Sequence, residues 1–138
     1  MTKLHILLLT HGDAGSALLR SSEMIVGRSE GIEALSLMPG MSVETFSEMV
    51  REKLVADAAP ALVLVDVFGG TPSNVAMALS RNHDIRCVSG LNLGMLVETL
   101  VMRESQDDLS LGDLQRIAYT AGTSSCRAFT YDDMIEGR

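Results

Sequence analysis

Three short segments of the chain carry groups that could perform nucleophilic chemistry on an anion. His11 lies in the sequence Thr-His-Gly and offers an imidazole, which is a nucleophile when it is neutral. Asp66 follows an apolar run and could accept a hydrogen bond from one ring nitrogen, keeping that nitrogen protonated. The segment 69–74, with the sequence GGTPSN, offers backbone N–H groups at a helix start, where anions bind readily. Together these groups predict an oriented nucleophile beside an anion-binding turn.

Each of these groups also has a purely structural interpretation. A lone histidine in a loop is usually a polar surface residue, and we interpret His5 and His83 as structural or solvated. His11 differs because a glycine follows it and a helix is predicted to begin there, which favours a functional role. Asp66 could instead initiate a turn or cap a helix, and a Gly-Gly turn needs no ligand to explain it. The functional interpretation therefore depends on a fold that brings the three segments together.

The apolar runs along the chain predict strands that alternate with helices. Residues 4–9 and 61–67 are almost continuously apolar, which is typical of strands covered on both faces of a parallel sheet. Shorter strands are predicted at 32–38 and 85–88, and a short edge strand at 127–130. Helices are predicted at 14–26 with Asp13 as N-cap, from 43 to a point before Pro60, and at 72–80, 95–102 and 109–121.

This alternation predicts an α/β fold with a doubly wound, mainly parallel sheet in the strand order 2-1-3-4 and helices on both faces. In that order the sheet changes its direction of growth between strands 1 and 3, and ligands bind outside the carboxyl ends of those strands. His11 and Asp66 lie at these two carboxyl ends, so we expect them to meet there. We assign residues 1–134 to one domain. Residues 135–138 spell Ile-Glu-Gly-Arg, a common engineered protease site, and are expected to form a tail.

The composition of the chain disfavours nucleic-acid-binding and membrane-spanning proteins. The 138 residues are 46% hydrophobic and 21% charged, as in a compact domain, and 11 Lys+Arg against 18 Asp+Glu give a net charge of −7. An acidic chain is a poor partner for nucleic acid, and the apolar runs are too short to span a bilayer, so we expect a cytoplasmic protein. Because His, Cys and carboxylates show no metal-ligand spacing, we expect neither a metal nor a cofactor.

Four motifs occur in a characteristic order. They are Thr10-His11-Gly12 followed by Ala14, Met38-Pro39-Gly40, Val65-Asp66 followed by Gly69-Gly70-Thr71-Pro72 and Asn74, and Gly90-Leu91-Asn92 followed by Met95-Leu96-Val97-Glu98-Thr99-Leu100. Over nearly the whole chain this series resembles the IIA component of the mannose family of the bacterial phosphoenolpyruvate-dependent sugar phosphotransferase system. The chain departs from the family pattern at Gly15, where Ala is frequent, and at Gly94, where Pro often occurs. We expect these departures to loosen two helix starts.

The resemblance implies a function and a set of partners. His11 would accept a phosphoryl group from the phosphocarrier protein HPr and pass it to a IIB component, and Asp66 would orient His11. The membrane components IIC and IID would be indirect partners, placing the protein at the periphery of a permease complex. The resemblance also implies a homodimer in which the C-terminal strand crosses to the other subunit, which would give the segment 127–130 a role.

For this chemistry we expect Asp66 to accept a hydrogen bond from the Nδ1–H of His11, so that Nε2 attacks phosphorus. The expected phosphate-binding groups belong to Gly12, Gly70, Thr71 and Ser73. Two alternatives stay open. The first is a regulatory module that is phosphorylated on His11 without onward transfer. The second is a flavodoxin-like binder of a phosphate ligand, which the small number of aromatic residues, two Tyr and three Phe, disfavours.

Overall fold

The computed structural model describes residues 4–58 and 60–135, and a parallel sheet forms its centre. The four strands are β1 (His5–His11), β2 (Ile32–Leu37), β3 (Ala61–Val65) and β4 (Ile85–Val88). They are ordered β2-β1-β3-β4, and each neighbouring pair is parallel. The predicted fold class and strand order are therefore confirmed. The sheet changes its direction of growth at β1 and β3, as the alternation of elements predicted.

Helices cover both faces of this sheet. They are α1 (Ala14–Val26), α2 (Val43–Lys53), α3 (Thr71–Leu79), α4 (Leu93–Ser105), α5 (Leu111–Ser124) and α6 (Tyr131–Ile135), and a π-helical turn (Leu54–Ala58) continues α2. Side chains alternate between the two faces of each strand. Leu7 and Leu9 therefore pack with Phe46 of α2, whereas Ile6 and Leu8 pack with Leu96 of α4. None of the helices within the described residues is long and apolar enough to cross a membrane.

The C-terminal segment differs from the prediction. Residues 127–130 are exposed and form no strand with the described part of the chain; they are followed by the short helix α6, which the sequence pattern did not predict. The predicted edge strand is therefore wrong for the single chain, because a strand needs a hydrogen-bonded neighbour. Exchange of this segment between subunits stays a prediction. Of the predicted tail, Ile135 is the last residue of α6, and 136–138 lie outside the described residues.

A buried cation holds the amino ends of β1 and β2. Arg103 of α4 is only 3% exposed, and its guanidinium donates hydrogen bonds to the carbonyls of Leu4, Glu30 and Gly31. The carboxylate of Glu104 also accepts one of its hydrogen bonds. Burial lowers the pKa of Arg103, whereas Glu104 acts in the opposite direction. Arg103 thus ties α4 to the starts of the two strands, at the end of the sheet opposite to His11.

The two glycines that depart from the family pattern lie at close contacts. A Cβ atom at Gly94 would lie 2.7 Å from the Cβ of Ser125, which follows α5. At Gly15 a Cβ atom would lie 3.1 Å from the Oγ1 of Thr10 and 3.3 Å from the Cβ of Leu8. Both glycines therefore let a helix start approach a neighbouring element closely.

Candidate functional site

His11 is the last residue of β1 and lies at the carboxyl edge of the sheet, opposite Leu37 of β2. Its side chain is 50% exposed. One carboxylate oxygen of Asp66, Oδ2, lies 2.9 Å from the backbone nitrogen of His11 and 3.0 Å from its ring Nδ1. Because the same oxygen receives the backbone N–H and the ring, the position of the backbone and the orientation of the imidazole are fixed together.

Asp66 is the first residue after β3 and accepts hydrogen bonds at both oxygens. Its second oxygen, Oδ1, accepts the N–H of Val67 at 2.9 Å. Partial burial raises the pKa of Asp66, but the hydrogen bonds from His11 and Val67 outweigh this effect and leave the pKa below its ordinary value. Since the carboxylate is an anion at neutral pH, it favours the His11 tautomer with the proton on Nδ1. That tautomer leaves a lone pair on Nε2.

Gly70 brings the turn after β3 into close approach with the imidazole. A Cβ atom at this position would lie 2.9 Å from Cε1 and 3.4 Å from Nε2 of His11. The preceding Gly69 has a φ of +88°, a left-handed conformation that favours glycine. Asn74 holds the turn, since its backbone N–H donates to the Gly70 carbonyl at 2.9 Å and its side chain donates to the Gly69 carbonyl at 3.3 Å.

The start of α3 leaves backbone donors free beside this turn. The N–H groups of Thr71 and Ser73 have no hydrogen-bond partner among residues 4–58 and 60–135. Pro72, between them, has no N–H to satisfy. Free N–H groups in the first turn of a helix carry a partial positive charge that attracts anions. Thr71 directly follows Gly70, whereas Ser73 is buried and also lines the groove beside β4.

The N–H of Gly12, also predicted to bind phosphate, already has a partner. It donates to the carbonyl of Leu37 at the end of β2, at 2.8 Å. Gly12 has a φ of +56°, so its main contribution in this structure is a left-handed turn directly after His11. The N–H of Gly70 makes a long contact of 3.4 Å to the Val67 carbonyl. The site therefore combines His11, Asp66 and Gly70, with Thr71 next to them in the chain.

The sequence analysis missed the role of one buried residue next to the site. Thr10 is fully buried, and its hydroxyl accepts the N–H of Gly15 at 2.8 Å. Asp13 has the N-cap position of α1 as predicted, but its side chain makes no capping hydrogen bond within the described structure. A polar residue that ends an otherwise apolar strand was the available signal, because burial makes a hydroxyl at such a position require a partner.

The segments that follow the strands carry exposed apolar side chains and contain no basic residues. Met38, Val67 and Phe68 belong to the turns that follow β2 and β3, and they are 41%, 56% and 72% exposed. The segments that follow the four strands, 10–16, 36–46, 66–74 and 89–95, contain no Lys or Arg. Within the described ranges, no group of three His, Cys, Asp or Glu side chains is placed to hold a metal ion.

Comparison with known proteins shows the family to which the chain belongs. The model of the EIIA-man family, described as the PTS system fructose IIA component, matches residues 5–115. The PTS system mannose-specific EIIAB component of Escherichia coli K12 is 34% identical over 127 residues, which cover 89% of this chain and 38% of that protein. The fructose-specific EIIA component of Bacillus subtilis 168 is also 34% identical, over 112 residues that cover 79% of this chain and 75% of the relative. The chain thus spans well under half the length of the E. coli relative.

Solved structures show the same similarity. The phosphotransferase system component EIIA of Streptococcus agalactiae has a TM-score of 0.83 at 30% identity, covering 91% of this chain and 96% of that one. The mannose/sorbose specific IIA subunit of Enterococcus faecalis has a TM-score of 0.84 at 29% identity, covering 94% and 96%. From the family match over most of its length and from these relatives, we conclude that the chain belongs to the mannose-family IIA components of the sugar phosphotransferase system.

Proposed function

We propose that this protein relays phosphoryl groups during sugar uptake. His11 accepts the group from phosphorylated HPr and passes it to a IIB component, in the cytoplasm beside the membrane components IIC and IID. The observation that carries the proposal is the 3.0 Å contact between His11 Nδ1 and Asp66 Oδ2. When the proton sits on Nδ1, Nε2 keeps its lone pair, and the ring that carries it is half-exposed.

In this mechanism the lone pair of His11 Nε2 attacks the phosphorus of the donor. A P–N bond forms as the bond from phosphorus to the donor group breaks, and the donor group leaves with that electron pair. Asp66 retains its hydrogen bond to Nδ1–H and stabilises the positive charge that develops on the ring. The transition state is loose and in line, so the protein mainly positions and stabilises charge. We assign the stabilisation to the N–H groups of Thr71 and Ser73 and to their hydroxyls.

The charges around the site agree with a relay, which must release what it binds. A nearby Lys or Arg would stabilise phosphohistidine and slow the second transfer, and the segments that follow the four strands contain neither. The exposed apolar Met38 and Val67 offer a contact surface for the partner protein. A positively charged group needed in the transition state would then come from the partner protein.

The direct test is the intact mass of the protein at alkaline pH after incubation with phosphoenolpyruvate, Enzyme I and HPr. We expect the native protein to gain one phosphoryl group, which acid treatment removes. Addition of a IIB component should return the mass to its starting value. A folded protein that gains no mass with active HPr would overturn the proposal. A phosphoryl group that no IIB component can remove would favour the regulatory alternative.

Replacement of Asp66 by Asn should slow phosphoryl transfer by about 100-fold, the lower end of what a positioned acid–base group contributes. The amide keeps the shape of the side chain but removes the charge that favours the Nδ1–H tautomer. The rate of phosphate gain from HPr measures this effect. Asp13→Asn is the matched control, since Asp13 is exposed and its side chain bonds to none of the described residues. Equal rates for native protein and Asp66→Asn would reject the orienting role.

We also propose that the protein forms a homodimer through the open edge of β4. A groove of about 1220 Å³ runs along this edge and is lined by Phe68, Met77, Ile85 and Tyr119, among others. Strand β4 pairs with β3 on one side and, in the described chain, has no strand on its other side. The segment 127–130 is exposed and extends from the end of α5, the helix that packs on β4. The same segment from a second subunit could add to β4 as a further strand.

Proline in this segment should disrupt such a dimer, because proline cannot donate a ladder hydrogen bond. We expect Ala128→Pro to halve the mass measured by light scattering, while Ala128→Ser keeps the mass of the native protein. A native protein of monomer mass at working concentration would contradict the dimer. An Ala128→Pro protein that stays dimeric would show that another surface forms it.

A further inference from the structure

Thr10 places a fully buried hydroxyl one residue before the phosphoacceptor. The residue is 0% exposed and lies in β1, after the apolar residues of the strand and directly before His11. Its Oγ1 accepts the N–H of Gly15 at 2.8 Å and donates to the carbonyl of Gly12 at 3.3 Å. One hydroxyl thereby bridges the end of β1, the turn after His11 and the first turn of α1.

The Thr10 hydroxyl accepts a hydrogen bond from the first turn of α1, as the side chain of an N-cap residue usually does. The N–H groups of a helix's first turn lack partners within the helix and are usually satisfied by the N-cap side chain. Here Asp13 makes no such bond to the described residues, and Thr10, three positions earlier, satisfies Gly15 instead. Gly15 is buried against Thr10, so water could not easily replace a lost hydroxyl. Leaving a buried N–H unpaired costs more than the net contribution of one hydrogen bond to stability.

The same hydroxyl fixes the backbone that carries the imidazole. Three bonds hold the two residues His11 and Gly12: the His11 N–H donates to Asp66, the Gly12 N–H donates to Leu37, and the Gly12 carbonyl accepts from Thr10. Asp66 Oδ2 receives both the backbone N–H and the ring Nδ1 of His11. A shift of the backbone therefore disturbs the ring's hydrogen bond as well.

We infer that Thr10 is a positioning residue for His11, acting through the turn at Gly12 to keep the imidazole aligned with Asp66. The activity part of this inference rests on the proposed phosphoryl relay. The hydrogen bonds of the Thr10 hydroxyl go to the backbone of Gly12 and Gly15 and not to the His11 ring. Its hydroxyl sets where the strand ends and where α1 begins, and the Asp66 contact depends on both.

The experiment compares Thr10→Val, which has nearly the same shape but no hydroxyl, with Thr10→Ser, which keeps the hydroxyl. Two properties are measured: the ¹⁵N shifts of the His11 ring, which report its tautomer, and the rate of phosphate gain from HPr. We expect Thr10→Val to move the ring shifts towards a mixture of tautomers and to lower the rate roughly 10- to 100-fold, the scale of a small misplacement. Thr10→Ser should restore both properties.

Thr99→Val is the matched control for loss of a buried hydroxyl. Thr99 is also 0% exposed, and its hydroxyl donates to the Met95 carbonyl within α4, away from the site. This variant should keep native ring shifts and a native rate. If Thr10→Val does not fold, Thr10→Ala removes the same hydroxyl and provides the same comparison.

Native ring shifts and a rate within about twofold of native in a folded Thr10→Val or Thr10→Ala protein would overturn the inference. Altered ring shifts in Thr99→Val would also overturn it, because any buried hydroxyl would then have the same effect. Failure of the relay itself gives a different result. In that case the native protein gains no phosphate, and the ring shifts alone decide the role of Thr10.

Discussion

Replacement of His11 by Ala is expected to abolish phosphorylation and to leave the fold intact. The imidazole is half-exposed and contributes nothing to the two clusters of the core. Its loss removes the ring's bond to Asp66, but that carboxylate keeps its bonds from the backbone N–H groups of residue 11 and Val67. A net change of about 1 kcal/mol in unfolding free energy is the scale of one such bond. Intact mass and thermal unfolding measure the two effects separately.

His83→Ala is the control for the His11 variant. His83 precedes β4, at the amino end of that strand, and is only partly exposed. Its replacement should leave phosphate gain at the native level. Phosphate on the His11→Ala protein would mean that another side chain accepts it, and the proposed chemistry at Nε2 would have to be abandoned.

Gly70→Ala is expected to lower the rate of transfer by about 100-fold while the protein stays as stable as the native one. The backbone φ of Gly70 is −78°, which alanine adopts freely, so the substitution brings no backbone strain. The new Cβ would lie 2.9 Å from the imidazole Cε1, and either the ring or the turn must move. A moved ring loses the alignment of Nδ1 with Asp66 and of Nε2 with the incoming phosphorus.

Gly112→Ala provides the matched glycine substitution away from the site. A Cβ atom at Gly112, in α5, would find its closest neighbour, Arg86 Cζ, at an ordinary 3.7 Å. This variant should transfer phosphate at the native rate, and the usual gain of alanine over glycine in a helix should stabilise it. If Gly70→Ala also transfers at the native rate with unchanged His11 ring shifts, the close approach of Gly70 has no role in transfer.

The sequence was sufficient to predict that His11 and Asp66 meet. Alternating strands and helices predict a switch point, and a switch point brings together the carboxyl ends of two particular strands. The atomic arrangement depends on details that the pattern does not contain. In the register, Leu9 pairs with Val65, so His11 lies two residues beyond that pair and Asp66 one residue beyond it. Strand register is a tertiary property, and a shift of one residue would separate the ring from the carboxylate.

Two details of the structure differ from what the local pattern indicates, and for the same physical reason. Asp13 is the polar residue nearest to the start of α1, so the local pattern favours it as the cap. The left-handed turn at Gly12 instead brings the Thr10 hydroxyl to the helix. The edge strand at 127–130 was predicted from local residue types, but in the single chain this segment has no neighbouring strand among the described residues. Both outcomes depend on contacts between residues that the local pattern does not connect.

The position of the buried Arg103 affects which parts of this protein can accept substitutions independently during evolution. Its guanidinium binds the amino ends of β1 and β2, whereas His11 ends β1 six residues after the first residue of that strand, roughly 20 Å away at about 3.3 Å per residue. Effects of substitutions so far apart without shared partners are nearly additive. Stability gained or lost around Arg103 can therefore vary independently of the geometry at His11, and the turns around His11 can change in sequence without disturbing the contacts that hold the opposite end of the sheet.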